Sequence, residues 1–144
     1  MAIKKYRMNL LLDMAEAGMA FPQSALMVKR SYLEINREKV TSFVKALIEG
    51  LYLVKKDKAL AIQVMKKYIR ADDEVYGIGY DYFLAKYGDD LLSLPDRRGL
   101  DFVIAQTAKS NPKAKGQTFE SIHLLEPTVL EEIRKSGFID KVKK

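Results

Sequence analysis

Ile35-Asn36-Arg37-Glu38-Lys39-Val40-Thr41-Ser42-Phe43-Val44-Lys45-Ala46-Leu47-Ile48-Glu49-Gly50 has the pattern of a helix together with its start. An asparagine side chain can accept a hydrogen bond from an unpaired N–H of the first helical turn. Apolar residues on either side of it, here Ile35 and Val40, can close over that turn as a hydrophobic staple. Beyond the start, Val40, Phe43, Val44, Leu47, Ile48 and Leu51 recur at helical spacing. They form one apolar stripe, which predicts a helix with a core-facing side.

The segments that follow repeat this logic. Asp57 to Ile69 predicts a second helix, with Ala61, Ile62, Met65, Tyr68 and Ile69 turned inward. Asp72-Asp73-Glu74 opens a third, because early carboxylates suit the positive end of the helix dipole, and Val75, Ile78, Gly79, Tyr82 and Phe83 supply its buried stripe. After Leu94-Pro95-Asp96, the positions Leu100, Val103, Ile104 and Thr107 mark a fourth helix ending before Asn111-Pro112, and Lys113 to Thr118 reads as a loop. Pro127 can sit in the first turn of a final helix without losing a needed hydrogen bond. Gly137 supplies the left-handed residue that closes it, with Phe138 folding back on Ile133. Upstream of Asn36, Tyr6 to Leu12 and Ala25 to Leu33 are short, apolar and β-tolerant, so both read as strands. Asp13 to Gln23 is then a loop or short turn between them.

Two of these stretches, the one around Asn36 and Ile133-Arg134-Lys135-Ser136-Gly137-Phe138-Ile139-Asp140, resemble a known family. They are similar to the closing half of the solute-binding proteins of bacterial ABC importers, in the group that handles nitrate, alkanesulfonates, taurine and thiamine-precursor pyrimidines. There a helix begins at N-P-x-x-V-x-x-F-h-x-A-h-x-x-G after a hinge, and the last helix ends in x-x-G-F-I-D. Arg37 stands where the pattern usually has proline, a mild departure for a first helical position. The resemblance implies an α+β, mostly helical unit of about five helices and two N-terminal strands. It would correspond to the C-terminal part of a type 2 periplasmic binding protein (α/β) fold. Residues 1–35 would form the strands and a hinge-like crossing, and 36–144 the helical part of a single unit. The first half of such a protein would be missing.

By the same resemblance the function is capture of a small anionic or heterocyclic organic solute and its delivery to a membrane permease, without catalysis or cofactor. Location would be periplasmic, or membrane-anchored outside the cytoplasm, in the full-length protein. The loop Asp13 to Gln23 is the candidate for cleft contact, with Asp13, Glu16 and Phe21 as ligand-binding residues. The competing reading has Asp13 capping a turn and Phe21 packing under the sheet. Apolar surface left open by the missing half would favour a homodimer. The alternative function is a helical protein–protein interaction module with no small-molecule ligand.

Composition sets limits on both functions. A chain of 144 residues suits one domain and can hide roughly 70% of the surface of its unfolded form. Cysteine is absent, which removes disulfides, thiol nucleophiles and thiolate metal sites. No apolar run approaches the ~20 residues needed to cross a bilayer. Lys4-Lys5-Tyr6-Arg7 before Met8 to Leu12 imitates a secretory signal, but Asp13 and Glu16 break the apolar part too soon. An expressed fragment or a truncated reading frame is the expectation.

The net charge of +6 raises nucleic-acid binding. However, the clusters Lys29-Arg30, Lys55-Lys56-Lys58, Lys66-Lys67-Arg70, Arg97-Arg98 and Lys141-Lys143-Lys144 are interleaved with acids. They form no single stripe, and a solvated surface is the expectation. Chemistry is thinly provided for. His123, the one histidine, lies between Ile122 and Leu124 and reads as a packing or surface residue, and a lone histidine without cysteine is a poor start for zinc. The pairs Asp72-Asp73, Asp89-Asp90 and Glu131-Glu132 are adjacent in sequence and therefore diverge in direction. Tyr76-Gly77-Ile78-Gly79-Tyr80 lacks the third glycine and the preceding strand of a dinucleotide fingerprint.

Overall fold

Hydrophobic spacing and helix caps account for most of what forms. The computed structural model describes residues 8–12, 25–88 and 91–144. Among them are eight α-helices: α1 Arg30–Ile35, α2 Arg37–Lys56, α3 Lys58–Tyr68, α4 Asp73–Tyr87, α5 Arg97–Ser110, α6 Phe119–Ile122, α7 Thr128–Lys135 and α8 Phe138–Lys143. A 3₁₀ turn, Pro112–Ala114, follows α5. Asp57 separates α2 from α3 because its carboxylate accepts from the Leu60 N–H at 2.9 Å, the capping bond that lets a new helix start at once.

The expected N-terminal strands are not found among the described residues. Residues 8–12 and 25–29 have no regular structure, and Arg30–Ile35 is helical; Tyr6 and Arg7 lie outside the described residues. A strand persists only when its N–H and C=O groups are paired by a neighbouring strand, and the described residues contain no such ladder. In the second segment, local bonds take their place. Leu33 N donates to Lys29 O at 3.0 Å and Asn36 N to Tyr32 O at 2.8 Å, and the turn so formed buries Leu33. The regular structure of the described residues is therefore helical throughout, and the α+β assignment with its type 2 periplasmic binding topology is corrected.

Asn36 shows the consequence. Because the chain reaches it from a helix, its side-chain Nδ2 donates backward to Tyr32 O at 3.2 Å and makes no bond to the first turn of α2. Ile35 is exposed, so the expected staple with Val40 does not form.

Backbone proximity divides the chain into two compact units, Met1–Met27 with Leu94–Glu126, and Val28–Ser93 with Pro127–Lys144. The second unit contains a core of Leu33, Ile48, Val129, Ile133 and Ile139, lined by Val40, Val44, Tyr52, Leu92, Leu130 and Phe138. Ile48 and Ile133 are each 1% exposed, and Phe138 packs against the cluster of which Ile133 is a member. Gly137, at φ +71°, turns the chain from α7 directly into α8. Only a residue without Cβ takes that conformation at little cost.

The α4 helix buries a different face from the one expected. Tyr76 and Tyr80 are buried, Val75 and Phe83 are half-buried, and Ile78 and Tyr82 are exposed. The reason is polar. Tyr76 Oη donates to Ile69 O at 2.7 Å and accepts from Ala71 N at 3.1 Å, and Tyr80 Oη donates to Val54 O at 3.0 Å. Each ring buries its apolar body while its hydroxyl satisfies backbone left open at a helix end.

In the first unit, Gly99, Leu100 and Ile104 of α5 are buried. Asp96 caps this helix by accepting from Arg98 N at 2.7 Å. Thr118 and Ser121 exchange reciprocal capping bonds at the start of α6, and Arg97 pairs with Glu120 and lies 5.7 Å from the Phe119 ring centroid.

Candidate functional site

The residues that carry the family resemblance come together within the second unit. α2 packs against both α7 and α8, so Val40, Val44 and Ile48 of the first motif share one cluster with Ile133, Phe138 and Ile139 of the second. Arg37, the residue in place of proline, reaches across this junction. Its guanidinium donates to Thr128 Oγ1 at 2.8 Å and to Glu132 Oε1 at 2.6 Å. The pair is partly exposed, so screening leaves it a modest contribution of roughly 0.2–1 kcal/mol.

Each unit also has an open cleft. In the first unit a cleft of about 460 Å³ is bounded chiefly by Val103, Ile104, Ala114, Ile122 and Leu124, with Lys113 and Gln117 among its polar residues. Such a volume falls in the range of small-molecule sites, although the polar atoms here are partly engaged already. Asn111 Oδ1 accepts from Lys113 N at 3.1 Å, and Gln117 Oε1 accepts from Ser121 Oγ at 2.7 Å. In the second unit a smaller, polar cleft of about 270 Å³ is lined by Tyr52, Leu91, Leu92, Arg134, Ile139, Asp140 and Lys143. Arg134 Nη2 there donates to Leu92 O at 2.9 Å.

Asp13, Glu16 and Phe21, the residues named for solute contact, lie outside the described residues. His123 is exposed and caps α6 in the left-handed conformation, at φ 46° and ψ 49°. Glu132 pairs with Arg37, and Asp73 with Lys66 at 2.9 Å; Asp89 and Asp90 lie outside the described residues. Among the described residues no charged side chain is buried, and no group of three His, Cys, Asp or Glu side chains could hold a metal ion. The carboxylates with displaced acidity are on the surface. Asp96 is held below the usual aspartate range by the Arg98 side chain and N–H, and Glu120 is lowered first by its own backbone N–H and then by Arg97.

Sequence reasoning missed a grouping of cations. Lys55 and Lys56 end α2, Lys141 and Lys143 end α8, and Lys56 Nζ donates to Val142 O at 3.2 Å. Neither segment announced the other, because only the packing of α8 along α2 brings them together. Among the described residues no helix is long and apolar enough to cross a membrane.

No family model matches the chain, and neither a curated protein nor a solved structure matches it.

Proposed function

We propose that the chain is the helical portion of a solute-binding subunit of an ABC-type importer. It would act outside the cytoplasmic membrane, capturing a small anionic or heterocyclic organic solute and presenting it to a membrane permease without chemical change. The observation that supports this most is the meeting of the two motifs in one core. Ile48 on one side and Ile133 and Ile139 on the other bury each other across a long sequence separation, which gives a structural reason for both motifs to occur in one chain. Solute capture by such proteins rests on two lobes whose contacts to the ligand are complete only when closed, so that binding shifts the population toward the closed form. Neither cleft encloses a ligand on all sides, and the chain alone binds its solute weakly.

The test is a thermal-shift titration of the protein expressed together with any in-frame coding sequence that precedes Met1. The ligands are nitrate, taurine, alkanesulfonates and pyrimidines. A single chemical class raises Tm, by the equivalent of about 2.7 kcal/mol at a hundredfold excess over Kd, and Asp13→Ala or Phe21→Ala reduces the rise. If no class raises Tm and no permease or ATPase gene lies beside the coding sequence, the proposal fails.

One observation favours a second reading, a helical module that binds a protein partner. Phe43 and Leu47 of α2 and Ile78 and Tyr82 of α4 are large apolar side chains left exposed. Exposed apolar surface of this kind marks interaction sites when it is contiguous. Phe43→Ser with Leu47→Ser distinguishes the two. It abolishes partner capture in the module and leaves solute-induced Tm shifts unchanged in the receptor.

A further inference from the structure

We infer that Lys55, Lys56, Lys141, Lys143 and Lys144 form a docking face for an anionic bilayer surface. This does not depend on the transport proposal. The helices α2 and α8 run in the same direction, since Lys45 Nζ lies 5.2 Å from the Phe138 ring centroid and, further along both helices, Lys56 Nζ meets Val142 O at 3.2 Å. Their C-terminal ends therefore share one end of the second unit, and all five lysines there are exposed.

Helix C-termini attract cations, but each is equivalent to only about half a negative charge, which is too little to balance the cluster. Among the described residues no carboxylate forms an ion pair with these five lysines. Lys55 Nζ donates to Gly88 O at 2.5 Å and Lys56 to Val142 O, carbonyls in both cases. Other lysines of the same unit behave differently, with Lys58 on Asp81 at 2.6 Å and Lys66 on Asp73 at 2.9 Å. Of the acids close by, Asp57 accepts from Leu60 N and Asp140 shares the polar cleft with Lys143. Asp89 and Asp90, next to Gly88 in sequence, lie outside the described residues.

The side-chain types select the partner. The five cations of the face are lysines, flexible point charges without the planar fork that fixes a phosphate in two places; Arg134, which shares the polar cleft with Lys143, donates to Leu92 O at 2.9 Å. Neither lysine-bearing segment interleaves an exposed aromatic to stack on bases, since Tyr52 and Phe138 are half-buried. Leu53, and Tyr87 next to the Gly88 carbonyl that holds Lys55, are large side chains left exposed near the lysines, whereas a folded protein is anchored by a central cluster of such groups. A diffuse field of lipid headgroups demands none of these features. Each lysine held near an anionic membrane surface strengthens partition by roughly fivefold.

The test is co-sedimentation of the whole chain with two kinds of vesicle, phosphatidylcholine alone and phosphatidylcholine with roughly one-third phosphatidylglycerol. The protein sediments only with the anionic vesicles, and raising salt from about 0.05 M to about 0.5 M releases it. K141Q/K143Q/K144Q lowers the partition coefficient by at least about tenfold, as does K55Q/K56Q, while K66Q/K67Q at the end of α3 leaves it within about twofold. Equal sedimentation with neutral vesicles overturns the inference, as does an equal loss in K66Q/K67Q with the helical circular-dichroism signal retained. Preferential capture by duplex RNA over the anionic vesicles would assign the face to nucleic acid instead and equally overturn it.

Discussion

Among the described residues, the two units of this chain bury very different amounts of apolar side chain. The second, Val28–Ser93 with Pro127–Lys144, closes five buried aliphatic residues from four helices into one cluster. Among its described residues the first has Leu100 and Ile104 as buried large side chains, together with local devices: the Asp96 cap, the Thr118–Ser121 capping box and the Asn111 turn. Local devices are each worth about 1 kcal/mol, whereas a fully buried aliphatic side chain contributes roughly 1.5–3 kcal/mol. Among the described residues, apolar burial therefore concentrates in the unit where distant parts of the sequence meet, and that unit also contains both motif-bearing stretches and the lysine face.

Removing a core side chain tests this contrast with the largest expected effect. Ile133→Ala or Ile48→Ala, each at a position 1% exposed, costs about 2–5 kcal/mol, read as a fall in the urea midpoint at unchanged slope. The same truncation at Leu100, which is 7% exposed, costs less than either. A larger loss at Leu100 would reverse the ranking of the two units.

A proline at position 37 sharpens the comparison with the family pattern. Asn36 has ψ 33°, and a following proline pushes its neighbour toward extended backbone. Arg37→Pro must then open the junction between α1 and α2 and release Leu33, at a cost of about 2 kcal/mol. If chemical denaturation shows the variant to be as stable as the parent, the chain passes from residue 35 to α2 in the extended form that the resemblance implies.

Two left-handed glycines provide a matched pair, one per unit. Gly137 at φ 71° and Gly116 at φ 73° each have open space where a Cβ would project, so alanine at either costs conformational strain alone, about 1–2 kcal/mol. Equal falls in stability are expected if each glycine belongs to a cooperative unit. A null effect at Gly116 alone would show that the loop between α5 and α6 is not coupled to its unit.

The smallest effect is that of acid on the α5 cap. The acidity of Asp96 is increased on folding by Arg98, so the cap is fully effective above the unfolded aspartate value near 4 and is lost as pH falls through the lower folded value. An NMR titration of the Asp96 carboxyl finds its midpoint below that of an unfolded aspartate, and Arg98→Ala moves it upward.

What the sequence revealed depended on how far each feature reaches. Asp57, Gly137 and the ends of α5 were legible because a cap or a left-handed turn is specified by a few adjacent residues. The buried face of α4 was not, and Phe43, Leu47, Tyr68 and Ile69, expected to face inward, are exposed. Aliphatic spacing favoured Ile78 and Tyr82, whereas Tyr76 and Tyr80 are drawn inward by carbonyls at Ile69 and Val54, which belong to other segments. The N-terminal strands failed for a related reason, since β-tolerant composition at Ala25 to Leu33 says nothing of a ladder partner, and six of the residues that follow Lys29 make a helix instead. Of the site, the helix start after Asn36 and the left-handed turn at Gly137 were legible. Their meeting was not, and neither was the lysine face, because both arise from α7 and α8 packing on α2.

Native-state hydrogen exchange on the parent chain and on Ile133→Ala tests most directly that the two motifs form one cooperative core. The amides of α2 around Ile48 and those of α7 around Ile133 lose the same amount of protection in the variant, matching its fall in global stability. Loss confined to α7, with α2 amides as protected as before, would contradict a shared core and remove the main support for the proposed function.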